Sequence, residues 1–294
     1  MQAILLAAGL GTRLRPYTLI RPKPLFPVLN RSLLHRLLDM LYKAGCTRIV
    51  VNAHHLTEQI RHSLTEYPDV VLQVEPEILG TGGSLRLAGE SLEDAPILVM
   101  NGDIVHTIDL AALYHHHLKS GNDVTMAMHN CPRFNTVGVR ENIVVSFAPG
   151  QDMQRLAFTG IHVVNPDIVT GIPGDGFFHI IDLYRELAQQ GRIGLQRVDG
   201  AFWRDIGTPE DYLQLHRELL ERQTCVDLDA VGQRRGGWLV GEDVRLGKDV
   251  RLQGWGCLGR GVTIGDCTTL RGSVLWDHAR IAEGSMIVEE IVTR

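Results

Sequence analysis

Residues 6–28 read LAAGLGTRLRPYTLIRPKPLFPV. The apolar run AILLAA at 3–8 ends in the turn Gly9-Leu10-Gly11, so a buried strand delivers the chain straight into a glycine loop. Glycine there lets backbone N–H groups face a bound anion with no Cβ in the way. Arg13 and Arg15 follow at once, and Lys23 stands further on, between Pro22 and Pro24. Two arginines and a proline-stiffened lysine around a glycine turn suit a polyphosphate, bringing positive charge to a group that becomes more negative as a bond to it breaks. Two other phosphate loops do not fit. The dinucleotide fingerprint needs a third glycine where Leu14 stands, and the Gly-Lys-Ser/Thr of a P-loop is absent.

Strand and helix patterns alternate outward from that loop. Strand-like runs at 2–7, 49–51, 70–74, 97–103 and 124–128 are separated by helical spacing at 33–43, 56–65, 80–90 and 109–119. Ser32 is placed to cap the first of these helices, and Gly45 lies just past its end. This rhythm predicts an α/β fold, a Rossmann-like mixed, mostly parallel sheet with helices on both faces. Residues 137–165 break the rhythm with three strand-like runs, read as an antiparallel insertion covering one end of the sheet. Helices are expected again at 178–189 and 209–222.

From 238 the period changes. Val240, Leu246, Leu252, Leu258, Ile264 and Leu270 recur every six residues, glycines follow four of them, and after a slip of one residue Leu275, Ile281 and Ile287 continue. Neither a helix nor a simple strand has that period. It predicts a short left-handed parallel β-helix of hexapeptide sides, three to a coil, with the aliphatic residues stacked inward. The expected division is therefore 1–222 and 223–294. The tail is expected to mediate self-association rather than chemistry, so a chain ending near 222 should retain some catalysis but change its oligomeric state.

The 294 residues are 44% hydrophobic with a net charge of −5. No basic stripe marks a nucleic-acid surface, and no apolar run approaches the ~18 residues of a membrane helix. Met1 leads directly into the first strand without a leader pattern, which points to the cytoplasm. The five cysteines form no C-x-x-C pair and are expected to be reduced and mostly buried.

The run G-x-G-T-R-L-R-P followed by P-K-P-L-x-P-V resembles the signature of the sugar-1-phosphate nucleotidylyltransferases. The resemblance continues through Gly80-Thr81-Gly82-Gly83, Asn101-Gly102-Asp103, Phe158-Thr159-Gly160-Ile161 and Trp203-Arg204-Asp205-Ile206-Gly207-Thr208-Pro209. It implies transfer of a nucleoside monophosphate from UTP or GTP to a sugar 1-phosphate, with release of pyrophosphate. Mannose, heptose and N-acetylmuramate 1-phosphates are the implied acceptors. It also implies a nucleotide site of Leu6, Ala7, Ala8, Gly9, Gly11, Thr12, Arg13, Lys23, Gly80–Gly83 and Asn101, with Arg13, Lys23 and Asp103 catalytic. Asp103 and Asp205 would bind Mg²⁺, and Gly138 and the Thr159-Gly160 turn would line the sugar site. Trp203, just before Asp205, either stacks on the sugar there or packs in the core. One departure stands out. The Glu-Lys-Pro segment of many members is replaced here by Phe147-Ala148-Pro149-Gly150, leaving Arg133 and Asn135 as candidate substitutes.

A sugar phosphate is largely a dianion at neutral pH, its second pKa being near ~6. It is already a nucleophile, which accords with the lack of a Ser-His-Asp or Cys-His pattern. Other residues read differently. His115-His116-His117 point about 100° apart on a helix and cannot converge on one ion, so a solvated face is expected. Asn52 and His54, at a strand end, are either ligand contacts or caps of the next helix. Asp182 and Glu186 are surface or capping charges. Two other classes compete: a hexapeptide-repeat acyltransferase, for which the tail offers only His278, and a non-catalytic scaffold member, which leaves Arg13, Lys23, Asp103 and Asp205 unexplained.

Overall fold

A computed structural model describes residues 1–148, 153–174, 176–221 and 229–294. Contacts divide the chain into two compact units: Met1–Leu10 with Leu37–Trp203, and Gly11–Arg36 with Arg204–Arg294.

The first unit is built on a nine-stranded sheet. Its order is Val70–Val74, Arg48–Ala53, Gln2–Leu6, Ile97–Asn101, Gln154–Val164, Val124–His129, Ile193–Arg197, Ile143–Ser146, Val137–Arg140. The first four strands are mutually parallel, in unbroken register from Gln2↔Arg48 to Leu6↔Asn52 and from Gln2↔Ile97 to Leu6↔Asn101. Gln154–Val164 then runs antiparallel to both of its long neighbours. The sequence read 137–165 as three strands of an antiparallel insertion. They do pair with one another, Val137–Arg140 lying antiparallel to both Ile143–Ser146 and the start of Gln154–Val164, but the third is eleven residues long and its far half continues into the middle of the sheet. Its LAFTGIHVV run is buried on both faces except at Phe158, the pattern of a central strand. The core of this unit gathers Ile4, Val50, Val99, Met126, Val164 and Tyr184 among others.

Helix Leu33–Lys43 matches the expected bounds, and Ser32 caps it, its Oγ accepting from His35 N at 3.2 Å. Helix Leu110–Ser120 starts at Asp109, whose carboxylate accepts from Ala112 N at 2.8 Å. On it His115 and His116 are exposed. His117 turns inward to Thr125 Oγ1 at 2.9 Å and Asn165 Oδ1 at 3.0 Å, so the solvated face comprises two of the three histidines. Asp182 pairs with Arg185 on an exposed face of helix Ile180–Gln189.

In the second unit the tail forms parallel ladders. Trp238 pairs with Gly256, Arg245 with Thr263 and Arg251 with Thr269, each eighteen residues on. Thr263 with Arg280 and Thr269 with Met286 are seventeen apart, the slip seen in the sequence. Val240, Leu258, Ile264, Leu270, Leu275 and Ile281 share one buried cluster. Leu246 was also expected inside but is 38% exposed, because Arg245–Leu246 is the edge strand of its ladder and has no coil beyond it.

The same unit contains the signature segment. Phe26, Tyr212 and Trp276 are each at most 1% exposed. Phe26 meets Tyr212 edge-on at 5.7 Å and Trp276 at 4.8 Å. Asn30 Nδ2 donates to Leu258 O at 2.9 Å. Leu29 N donates to His216 Nε2 at 3.3 Å, on helix Pro209–Glu221. Packing therefore groups residues 11–36 and the last helix with the tail, whereas the sequence divided the chain at 222. Large aromatic side chains far apart in sequence make that difference.

Candidate functional site

In the first unit the site begins where strand Gln2–Leu6 ends. Ala7 N donates to Asn52 Oδ1 at 2.6 Å, and Asn52 Nδ2 donates to Glu75 Oε1 at 2.8 Å and Ser84 Oγ at 3.0 Å. Gln73 Nε2 donates to the same Glu75 oxygen at 2.9 Å and to Ser84 O at 3.1 Å. The network ties the start of the glycine loop to the helix Gly80–Gly89. Glu75 is 1% exposed, and its Oε2 has no hydrogen-bond partner among the described residues. Sequence reading missed Glu75. Its signal was an acidic residue closing the strand-like run VVLQV just before the glycine-rich helix start. Asn52 is thus a buried bridging residue, and His54 Nδ1 bonds Glu75 O at 2.8 Å. Neither caps the next helix, whose Ncap position is Leu56.

Gly9 is exposed, and a Cβ placed on it would meet nothing within 4 Å. That is open space beside the backbone, as an approaching phosphate requires. Ala7 and Ala8 are buried and Leu6 half-buried, so these three offer backbone. Gly80–Gly83 differ. Gly82 N and Gly83 N both donate to Phe178 O, at 2.9 and 3.2 Å. A Cβ on Gly83 would lie 2.7 Å from Gly176 O, and one on Gly80 2.7 Å from Phe178 O. Thr81 Oγ1 accepts from Ile180 N at 3.2 Å. These glycines make room for the strap at 176–180, so any wall they give a base is shared with that strap.

Asp103 follows strand Ile97–Asn101 in a turn and is half-buried. Gly102 N donates to Leu6 O at 2.8 Å, and a Cβ there would lie 2.7 Å from the same oxygen. Gly160 has φ +80°, and a Cβ on it would lie 2.6 Å from Asn101 Nδ2. Gly160 and Asn101 are therefore neighbours, at an irregularity in the pairing of Gln154–Val164. Thr159 directs its hydroxyl into the sheet, to Ala127 O at 2.8 Å. Trp203 is 6% exposed, donates from Nε1 to Thr159 O at 2.9 Å, and packs edge-on against His129 and Phe134. It joins the expected sugar-site elements by packing beneath them. Gly138 lies on strand Val137–Arg140, paired with Ser146 on one side and Arg155 on the other, with Met153 over it. Asn135 closes its own loop, accepting from Cys131 N and donating to Asn130 Oδ1, while the Arg133 guanidinium lies 5.0 Å over Phe134. Pro149 and Gly150 lie outside the described residues.

In the second unit Gly11 has φ +57°, which a side chain rarely adopts. Thr18 Oγ1 donates to its carbonyl at 3.0 Å. A Cβ on Gly11 would sit 3.6 Å from Lys23 Cβ, so the lysine stem lies against the loop, and Lys23 is 8% exposed. Thr12 and Arg13 follow on an exposed turn. Arg13 converges with Asp205. A Cβ on Gly207 would lie 2.8 Å from Asp205 Oδ2, 3.1 Å from Asp211 Oδ2 and 3.2 Å from Arg13 Nη1. Asp211, in the first turn of helix Pro209–Glu221, is a second residue that sequence reading missed. Its i+6 spacing from Asp205 across a turn carries no periodic signal.

Each unit carries part of the equipment of a phosphate-transferring nucleotide enzyme: in the first, an open glycine at the carboxyl end of a parallel strand; in the second, a lysine against Gly11 and an arginine beside two carboxylates. The chain belongs to the nucleotidyl transferase family, whose model matches residues 2–222. It is 29% identical over 302 residues to mannose-1-phosphate guanylyltransferase of Mycobacterium tuberculosis, covering 98% of this chain and 83% of that one. It is 28% identical over 228 residues to D-glycero-alpha-D-manno-heptose 1-phosphate guanylyltransferase of Aneurinibacillus thermoaerophilus, covering 74% and 98%. Among solved structures it resembles HddC from Yersinia pseudotuberculosis, at TM-score 0.62 and 25% identity, covering 73% and 97%; one of those structures is complexed with GMP-PN.

Proposed function

We propose that this enzyme transfers GMP from GTP to a hexose or heptose 1-phosphate, mannose 1-phosphate being the first acceptor to try. A phosphate oxygen of the sugar phosphate attacks the α-phosphorus, the bond to the β-phosphate oxygen breaks, and pyrophosphate leaves with the charge. The observation that carries the choice of base is Glu75. One of its oxygens is held by Asn52 and Gln73, and the other is a buried acceptor without a donor among the described residues. An unmet buried acceptor costs about 1–3 kcal/mol, so a ligand that supplies a donor is favoured. Guanine presents two adjacent donors, N1–H and the 2-amino group. Uracil presents a single N–H flanked by two carbonyl oxygens that a carboxylate repels. The similar proteins of Mycobacterium tuberculosis and Aneurinibacillus thermoaerophilus are guanylyltransferases, which points the same way.

Triphosphate contacts are proposed on each unit by itself: Lys23, Arg13 and the Gly11 backbone in the second, and the backbone from Ala7 to Leu10 in the first. The divalent ion the family uses fits as Mg²⁺. It takes one or two carboxylates and otherwise phosphate oxygens and water, and Asp205 and Asp103 each offer hard oxygen ligands on their own unit. When bound, that ion neutralises phosphate charge. Thr159, Gly160 and Trp203 are proposed to shape the sugar side, and the hexapeptide tail to close as a left-handed β-helix and to join copies of the chain.

Pyrophosphate release should be measured for GTP and UTP with a panel of sugar 1-phosphates. GTP with mannose or heptose 1-phosphate is expected to lead. Glu75→Gln, whose amide offers both a donor and an acceptor, is expected to narrow or reverse the GTP preference. A wild-type preference for UTP, or an unchanged GTP/UTP ratio in Glu75→Gln, overturns the assignment of the base.

A further inference from the structure

We propose that Trp276, in the hexapeptide tail, is a positioning residue for Lys23, so that the tail takes part in turnover by setting the signature segment. The inference rests on the reading of Lys23 as a phosphate contact and extends it.

Lys23 sits in a single 3₁₀ turn, Lys23–Leu25, closed by Leu25 N to Pro22 O at 2.8 Å and Phe26 N to Lys23 O at 3.0 Å. A three-residue turn of that kind has little stability of its own. Prolines on both sides stiffen it without fixing where it points. Its position is decided by what Phe26 packs on, because Phe26 is the next residue and is wholly buried.

The support is Trp276, which follows strand Thr269–Leu275. Its ring meets Phe26 edge-on at 4.8 Å and Tyr17 at 6.2 Å, and carries the Arg21 guanidinium 4.5 Å from its centroid. Its Nε1 donates to Tyr212 Oη at 3.2 Å, and Tyr212 Oη donates in turn to Pro27 O. One tail residue thus grips the segment before Lys23, through Tyr17 and Arg21, and after it, through Phe26 and the Tyr212–Pro27 link. The indole is 1% exposed. All of these partners belong to the second unit. On this proposal a chain ending near 222, which lacks the support, retains only a small part of its catalysis.

The test uses the full chain, with pyrophosphate release from GTP and mannose 1-phosphate, GTP binding, and thermal midpoints. Misplacing a reacting group by about 1 Å costs about 10²-fold, so W276A is expected to lose kcat by about that factor, with W276F recovering most of it. Leu270→Ala empties the tail's own core away from these contacts. It should lower the midpoint at least as much while kcat stays within about two-fold of wild type, as expected of a change remote from the chemistry. Wild-type kcat in W276A overturns the proposal, as does Leu270→Ala losing kcat in proportion to its midpoint. If W276A does not fold, Tyr212→Phe decides. Removing its hydroxyl is expected to lower kcat about ten-fold, the loss of one oriented link, and wild-type kcat there overturns the proposal. Lys23→Ala separates the two readings. If it keeps turnover, the role of Lys23 fails; if it loses turnover and W276A does not, only the role of Trp276 fails.

Discussion

Gly9 and Gly207 give one substitution two different consequences. A Cβ on Gly9 meets nothing within 4 Å, and its φ lies outside the left-handed region. Gly9→Ala should therefore fold as well as wild type, or better by about 0.5 kcal/mol through a less free unfolded chain. The methyl would project where the triphosphate must meet the backbone, so GTP binding should weaken by about ten-fold or more, as when a ligand loses a hydrogen bond it needs. A Cβ on Gly207 would press on Asp205, Asp211 and Arg13 together. Gly207→Ala should raise the Mg²⁺ concentration for half-maximal rate and lower kcat by about 10²-fold, the effect of displacing groups aimed at transition-state charge. Calorimetry for Gly9→Ala and a Mg²⁺ titration for Gly207→Ala check these outcomes. Tight GTP binding by Gly9→Ala, or a wild-type titration in Gly207→Ala, counts against the assigned site.

At the scale of elements, the helix Gly80–Gly89 depends on the strap at 176–180. Its first free N–H groups at Gly82 and Gly83 are taken by Phe178 O, which answers the need every helix start has for acceptors. Phe178 N returns a bond to Leu79 O at 2.8 Å. Gly83→Ala would place a methyl 2.7 Å from Gly176 O, a backbone atom that cannot simply rotate aside. Overpacking of this kind costs about 1–3 kcal/mol. Denaturant midpoints should show that loss, and hydrogen exchange should rise at residues 80–84 and 176–180 together. Faster exchange on one segment alone would separate the two elements. The helix start was legible in the sequence as a glycine run, but its reason was not, because the acceptor lies about a hundred residues downstream.

Across the whole molecule, buried neutral histidines set the response to acid. Burial pushes His106 and His162 down to about 3 and His216 to about 4. His216 accepts from Leu29 N at Nε2 and faces Tyr212 O with Nδ1, so the fold holds the neutral ring. Each folded pKa lies below the unfolded value near ~6.5, so the unfolded chain binds more protons as pH drops. The stability these groups contribute is complete above about pH 6.5 and is lost progressively as pH falls toward 4 and then 3, at up to about 1.4 kcal/mol per pH unit for each. Thermal midpoints should be level from pH 8 to 7 and fall steadily from 6 to 4. His216→Gln should start lower and fall less steeply, and an unchanged slope would remove His216 from the acid response.

The class of sheet, the bounds of helix Leu33–Lys43, the glycine loop and the eighteen-residue coil of the tail were all legible along the chain. Each is a pattern that repeats or closes within one short window, where local geometry alone fixes the period. The entry of Gln154–Val164 into the middle of the sheet and the inward turn of His117, unlike its neighbours, came from long-range packing. So did the Glu75 oxygen left unmet among the described residues and the seating of Phe26 on Trp276. Those outcomes depend on which distant side chains compete for the same buried volume and the same donors, and such competition leaves no period along the chain.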